Sequence, residues 1–484
     1  MKLPVIDLVV FLLFMLGTFL FGCSFFQKKR NSNDYMSAGG KLPAWVVGMS
    51  IFATYVSSIS FLALPGNAYK GNWNSFVFSL SIPIASWIAA KYFVPFYRKI
   101  NSISAYSFLE ERFGYWARVY ASCCYLLTQV ARIGSVLYLM ALPLHNMLGM
   151  SVSSLVILLG ICVVIYSVLG GIQAVIWTDA IQGIILIVGA LACVAVLLFS
   201  MPEGPSQLFQ VAIAHDKFSL GSFSPDLSTA TFWVTLVYGL FINLQNYGID
   251  QNYVQRYKTA KDDKSARSAA LFGGLLYVPV SLFFFFIGTA LFAYYYVSPS
   301  LLPAGTPNDD VFPYFIVHGL PVGITGLLIA AICAAGMSTV STSINSSATI
   351  ILTDFYQHKR QRTDRQNMSV LYLTSFLLGV LGIGLGLAMM SVQSALEAWW
   401  KLAGIFSGGM LGLFLLGYLG RNVKSVYAAI GVVCGVILIS WMSLGHNVIF
   451  HNYLTIVFGT ILIFMVGFLL SIFFGKKKDK VLTD

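Results

Sequence analysis

Residues 336 to 347 read GMSTVSTSINSS, seven hydroxyl side chains following the apolar run GLLIAAICAA with no turn signal between. Hydroxyl oxygens on a helix can bond back to the carbonyl four residues earlier, tie helices together, or ligate a hard cation such as sodium. Ser338 and Thr339 stand one turn before Ser341 and Thr342, which stacks the four into two adjacent ridges. Two other stretches carry polar groups in apolar surroundings. GMSIFATYVSSISFLALPGNAY is interrupted from Thr54 to Ser60, with glycine and proline following. GLFINLQNYGIDQNYVQRY contains Asn243, Gln245, Asn246, Gly248, Asp250 and Gln251, too many helix-competing groups for an unbroken helix. Unwinding frees backbone carbonyls, and a bound cation is one way of satisfying them in hydrocarbon.

These groups need elements to carry them, and the composition says which. The chain is 58% hydrophobic and 10% charged, with a mean hydropathy of +0.80, which excludes a soluble globular domain. Apolar windows of about 20 residues, enough to cross about 30 Å of hydrocarbon, recur near 5–26, 44–66, 73–95, 119–143, 151–170, 174–200, 229–254, 268–296, 322–355, 368–391, 396–419, 424–443 and 451–474. The fold class expected is an all-α polytopic membrane protein of about 13 transmembrane helices. QKKR after the first window, with no small-residue cleavage site, favours a retained span over a signal peptide.

Lys and Arg concentrate in alternate connections, among them Lys28 to Arg30, Arg98 to Arg118, Arg256 to Arg267, Lys359 to Arg365 and the tail from Lys476 to Lys480. By the positive-inside rule the N-terminus lies outside and the C-terminus in the cytoplasm, in a cell (inner) membrane. The net charge of +11 then reflects this asymmetry and an affinity for anionic lipid, not nucleic-acid binding. The seven cysteines lie in apolar segments without metal-ligand spacing and read as small buried hydrophobes.

The interrupted spans are five apart and run in opposite directions. Corresponding broken helices in oppositely oriented halves point to an inverted-repeat transporter with a binding site at mid-membrane. Arg132 stands half-way along its span, where an unpaired charge is costly; its fork suits a carboxylate, although a polar neighbour or a snorkel to the outer surface would also hold it. Asp179 lies about five residues, roughly 8 Å, inside one end of its span. An acid there is either a helix-terminal partner or a site residue. Glu397 and Lys401 form an i to i+4 pair. An enzyme would need a nucleophile, acid/base or metal constellation, a sensor a signalling domain, and a channel a repeated filter. None is readable here. Proton coupling through Asp179 is the main rival to sodium, and the hydroxyl clusters favour sodium.

FATYVSSISFLALPGNAY, SAYSFLEERF, GGIQAVIWTDAIQG, DQNYVQRY and AAGMSTVSTSINSSATIILTDFY resemble, in order, the signature segments of the sodium:solute symporters, the group that includes the sodium/glucose cotransporters. VARIGSVLYL and SLLPAG are most similar to the bacterial sialic acid symporters. The resemblance implies a five-plus-five inverted repeat with broken helices. That divides the chain into an extra helix and loop (1–43), a first repeat (44–200), an external loop (201–228), a second repeat (229–419), and two final helices with a basic tail (420–484).

The resemblance also implies a main sodium site from the carbonyls of Ala53, Val56 and Ala335 with the hydroxyls of Ser338 and Thr339. A second sodium site matches Asp179, Ser341 and Thr342, with the Ser338 carbonyl. The arginine matching Arg132 binds the substrate carboxylate in the sialic acid symporters. Tyr55 stands where those symporters have threonine and Ser79 where they have glutamine, whereas Ser57 and Ser60 keep compatible hydroxyls; Asn243 completes the substrate set. The expected function is a sodium-coupled symporter for a small solute, a sugar acid such as sialic acid in preference to a neutral sugar, working as a monomer in the lipid bilayer with no catalytic residues.

Overall fold

The computed structural model describes residues 4–360, 362–391, 408–420, 422–445 and 449–474. Glu397, Lys401, Arg421, the lysine-rich tail and the first part of the span expected at 396–419 lie outside the described residues. Among the described residues, nine helices are long and apolar enough to cross a membrane, or ten when one bent pair counts as a span. The chain starts with α1 (Val5–Ser24), followed by the bent pair α2 (Ala44–Tyr55) and α3 (Ser58–Lys70), whose axes meet at 54°. The span Trp73–Lys99, α4, leads to a short helix α5 (Ser107–Phe113) and then α6 (Tyr115–Leu148).

The next helical stretch, α7 (Val152–Phe199), is 48 residues long. At 1.5 Å per residue that is about twice what a bilayer needs, and it divides at Gly171, whose φ of 58° and ψ of −160° are not helical. A Cβ there would meet Tyr35 at 2.8 Å, so both the backbone and the packing require glycine. The expected spans 151–170 and 174–200 are these two halves.

The connection at 201–228, expected to be external, contains α8 (Pro205–Ala214). A second interrupted pair follows, α9 (Phe232–Ile249) and α10 (Gln251–Thr259), then α11 (Asp263–Val297) and α12 (Asn308–His318). The hydroxyl-rich helix is α13 (Ile324–Ile350), and α14 (Asp364–Ala388), α15 (Met410–Leu419), α16 (Ser425–Leu444) and α17 (Leu454–Phe474) complete the order. α15 is the described end of the span expected at 396–419.

Every residue of α13 from Leu328 to Ile350 is buried. A helix buried all round meets no lipid, which is why it can carry hydroxyls where a lipid-facing span cannot. It packs most extensively on α7 and also meets α1, α6 and both halves of the first broken span. α1 fixes its start: Asp7, 1% exposed, accepts from the Gly323 and Gly326 amides, each at 2.7 Å. These amides have no partner within the helix, so a carboxylate from another span caps α13. Close approach of α2 to α11 uses small residues: a Cβ on Gly273 would meet the Gly48 carbonyl at 2.7 Å.

Several basic residues assigned from sequence to loops are buried. Arg256 is 0% exposed, Arg30 bonds the Gly170 carbonyl at 2.5 Å, and Arg118 pairs with Glu110 and Asp354. The cysteines also depart from the expectation: Cys193 and Cys333 are buried, Cys123 is exposed, and the others lie between. Alternate faces of a lipid-embedded helix tolerate a small apolar thiol equally well.

Candidate functional site at the two helix breaks

α2 stops at Tyr55 because Val56 (φ −81°, ψ 113°) and Ser57 (φ −103°, ψ 167°) are extended. Ser57 restarts the chain as the N-cap of α3, its Oγ accepting from the Ser60 amide at 3.3 Å. Among the described residues the Ala53 and Val56 carbonyls accept no backbone hydrogen bond. The Thr54 carbonyl accepts from Arg132 Nη2 at 3.4 Å. The second break is built the same way: Asp250 is extended (φ −74°, ψ 127°) and caps α10 through the Asn252 amide at 2.7 Å. Each break therefore aims a capped half-helix N-terminus, the positive end of its dipole, into the middle of the protein.

Half-burial of polar groups between the breaks points to a recess. Tyr55, Ser60, Arg132 and Asp250 are half-buried among buried neighbours, and polar groups with residual exposure at that depth face a cavity, not lipid. The Tyr55 hydroxyl donates to Asn243 Oδ1, and Asn243 Nδ2 donates to Ser81 Oγ at 2.9 Å. The Tyr55 ring sits 4.6 Å from Tyr277, with Tyr247 and Tyr253 at 6.0 and 6.4 Å. Ser57 and Ser60 face each other at 3.4 Å. Ser79, by contrast, is buried and occupied: its Oγ lies 2.8 Å from that of Ser281.

Arg132 reaches this recess from α6. Among the described residues it makes no ion pair, although Asp250 lies within electrostatic range. Its charge thus stands beside both breaks with much of its donor fork unused. A guanidinium of that kind suits a planar anion.

On α13, Thr339 Oγ1 donates to the Ala335 carbonyl at 3.1 Å and Ser341 Oγ to the Ser338 carbonyl at 3.1 Å. Both are the local back-bonds that membrane helices commonly show. They bring oxygens together in pairs without removing the remaining lone pairs. Among the described residues Ser338 Oγ has no hydrogen-bond partner, at 0% exposure. Unpartnered carbonyls at Ala53 and Val56 and an unpartnered hydroxyl at Ser338 are a donor set that fits sodium, a hard cation that binds oxygen.

Asp179 and Arg256 form a fully buried pair with an Oδ2 to Nη2 distance of 2.7 Å. Ser50 Oγ donates to the same carboxylate oxygen at 2.6 Å, and Arg256 Nη2 also donates to Thr342 Oγ1 at 2.6 Å. Of the residues expected at the second site, Asp179 and Thr342 are thus brought together around Arg256. Thr342 is engaged by Arg256, and the open oxygens are Asp179 Oδ1 and Ser338 Oγ, neither of which has a hydrogen-bond partner. Arg256 was missed because it falls just beyond an apolar window, in a run of basic residues. The signal for it was Asp179: a buried carboxylate demands a counter-charge.

Comparison with known proteins puts this geometry in context. The profile described as Sodium:solute symporter family matches residues 35–435. The Sodium/sialic acid symporter NanT of Aliivibrio fischeri is 34% identical over 93% of this chain and 89% of its own length. The Sodium/sialic acid symporter SiaT of Proteus mirabilis is 32% identical over 97% of this chain and 96% of its own. Among solved structures, a substrate-bound outward-open state of a Na+-coupled sialic acid symporter superposes with a TM-score of 0.91 at 30% identity, covering 97% of this chain and 98% of that one. The nucleobase-cation-symport-1 family transporter Mhp1 in a closed conformation matches with a TM-score of 0.59 at 16% identity over 90% of this chain and 92% of its own, which bears on the fold alone.

Proposed function

The chain belongs to the sodium:solute symporter family, and from that premise we propose that it imports a carboxylated sugar, such as sialic acid, together with sodium by alternating access. The observation that carries this reading is Arg132, an arginine in the middle of a span that touches the first broken helix at the Thr54 carbonyl and makes no ion pair among the described residues. Its guanidinium would hold the substrate carboxylate, while Tyr55, Ser57, Ser60 and Asn243 present hydroxyl and amide groups to the rest of the sugar. Ser79 would act from behind, through its bond to Ser281.

Sodium would link the first broken span to α13 through the carbonyls of Ala53, Val56 and Ala335 and the hydroxyls of Ser338 and Thr339. A second ion would lie against Asp179, near Ser341 and the Thr342 end of the same ridge. Each sodium entering through about 100 mV gains roughly 2.3 kcal/mol, so two ions with a monoanionic substrate make uptake electrogenic. The distribution of basic residues supports an N-terminus outside and a C-terminus in the cytoplasm. The protein is read as acting as a monomer. The division into repeats at 44–200 and 229–419 follows the two breaks.

Reconstitution into proteoliposomes tests the reading. An inward sodium gradient should drive uptake of sialic acid, and lactate and neutral hexoses should compete poorly. Preferred uptake of a neutral sugar would remove the role assigned to Arg132.

A further inference from the structure

Asp179 divides its two oxygens between different tasks. Oδ2 accepts from Arg256 Nη2 at 2.7 Å and from Ser50 Oγ at 2.6 Å. Among the described residues Oδ1 is buried with no hydrogen-bond partner, and Ser338 Oγ, also buried and unpartnered, lies near enough to act on the carboxylate. Two such orphaned oxygens, one on α7 and one on α13, are groups that a bound cation would satisfy. Arg256 is held on the Oδ2 side by every nitrogen of its guanidinium. Its Nε donates to Ser50 Oγ at 2.7 Å, its Nη1 to the Asn252 carbonyl at 2.7 Å, and its Nη2 to Thr342 Oγ1 at 2.6 Å. The guanidinium is thereby fixed to one side of the carboxylate.

We propose that Arg256 is a positioning residue that sets the sodium affinity of the Asp179 site: by neutralising the carboxylate from its far side, it makes the second ion bind weakly enough to leave. This rests on the reading of Asp179 as an ion ligand. A lone buried carboxylate would hold a cation by an attraction that grows as the local dielectric falls. With the guanidinium fixed on Oδ2, the ion meets a nearly neutral pair, and its binding depends on the Oδ1 and Ser338 dipoles more than on net charge. Because Arg256 rides on α10, it also ties this site to the inner half of the second broken span. A shift of α10 that carried the guanidinium away from Asp179 would tighten the ion, and its return would loosen it.

The test is sodium-dependent thermal stabilisation of the purified full-length protein in detergent, without substrate, with choline replacing sodium at constant ionic strength. Arg256→Gln should lower the half-saturating sodium concentration by about tenfold or more, while Arg256→Lys, which keeps the charge, should stay within about threefold of the unmutated protein. Asp179→Asn should remove one phase of the sodium dependence and bring the Hill coefficient toward one. An unchanged or raised half-saturation in folded Arg256→Gln overturns the proposal. If Arg256→Gln does not fold, a tenfold drop in Arg256→Lys overturns it instead, since the charge would then not be what matters. A sodium curve unaltered in Asp179→Asn overturns the second-ion reading itself. Loss of that phase in Asp179→Asn with no shift in Arg256→Gln overturns only the role of Arg256.

Discussion

Arg132 Nη2 lies 3.4 Å from the carbonyl oxygen of Thr54, so the charge in the middle of α6 touches α2 at the last turn before it unwinds. The contact is long for a hydrogen bond, and it points the guanidinium at the break without consuming it. Whatever binds in the recess meets this charge together with the N-terminus of α3.

Arg132→Lys keeps the charge but loses the planar fork. Losing a charge-assisted bond costs about 1.5–3 kcal/mol, so affinity for the carboxylated substrate should fall by roughly 10- to 100-fold, measured by isothermal titration or by saturation of uptake. Unaltered affinity in this variant would contradict a bidentate carboxylate contact.

Ser338 and Thr339 should act on sodium, not on folding. Ser338 Oγ has no hydrogen bond to lose, and Thr339 Oγ1 has only its back-bond to Ala335. Ser338→Ala and Thr339→Val should each raise the sodium concentration for half-maximal uptake by roughly threefold to tenfold, about the value of one oxygen contact. Tm in sodium-free buffer should change little. Sodium dependence that stays the same in both variants would exclude them as ligands.

Asp7 makes the opposite prediction. Its carboxylate caps the start of α13 through Gly323 and Gly326, and removing a cap leaves buried amides unpaired at a cost of about 1–3 kcal/mol. Asp7→Ala should lower Tm in detergent while the half-saturating sodium concentration stays near the unmutated value. A normal Tm would mean that α1 does not anchor α13.

The acid sensitivity of the protein should trace in part to Glu110 on α5, which faces a cleft of about 540 Å³ lined also by Arg118 and His358. Burial works to raise the pKa of this carboxyl, but hydrogen bonds from the His358 ring at 2.8 Å and from Arg118 at 2.8 Å outweigh it and hold the pKa below the ordinary 4.5. A carboxylate with a lowered folded-state pKa contributes stability above its unfolded value, and that contribution fades as pH falls through the folded value. Tm should therefore drop as pH is taken below 4.5, and Glu110→Gln, lower in Tm at neutral pH, should show a shallower acid limb. Parallel curves for the two proteins would assign the acid limb to other groups.

Much of this was legible because the two breaks are written in local chemistry. Ser57 and Asp250 are N-cap residue types set inside apolar windows, and both do cap the second half of their span. The hydroxyl-rich helix announced itself by types no lipid-facing span would carry. Arg256 stayed hidden because its partner is 77 residues away in sequence and its neighbours Lys258 and Lys261 look like a loop. Thr342 is a ligand candidate through the family resemblance, and its bond from Arg256 is not readable from the sequence. α12 was missed because Pro313 lies inside it. Pairings between distant spans decide which oxygens remain open, and periodicity does not record them.

Sodium-driven accumulation in proteoliposomes tests the central claim most directly: radiolabelled sialic acid outside, an inward sodium gradient, and a valinomycin-clamped potential that can be set to zero or made negative inside. The account predicts accumulation above equilibrium only with the sodium gradient, faster at negative potential, and abolished by Arg132→Ala. Accumulation that proceeds equally with a proton gradient and no sodium, or that is untouched by Arg132→Ala, would contradict it.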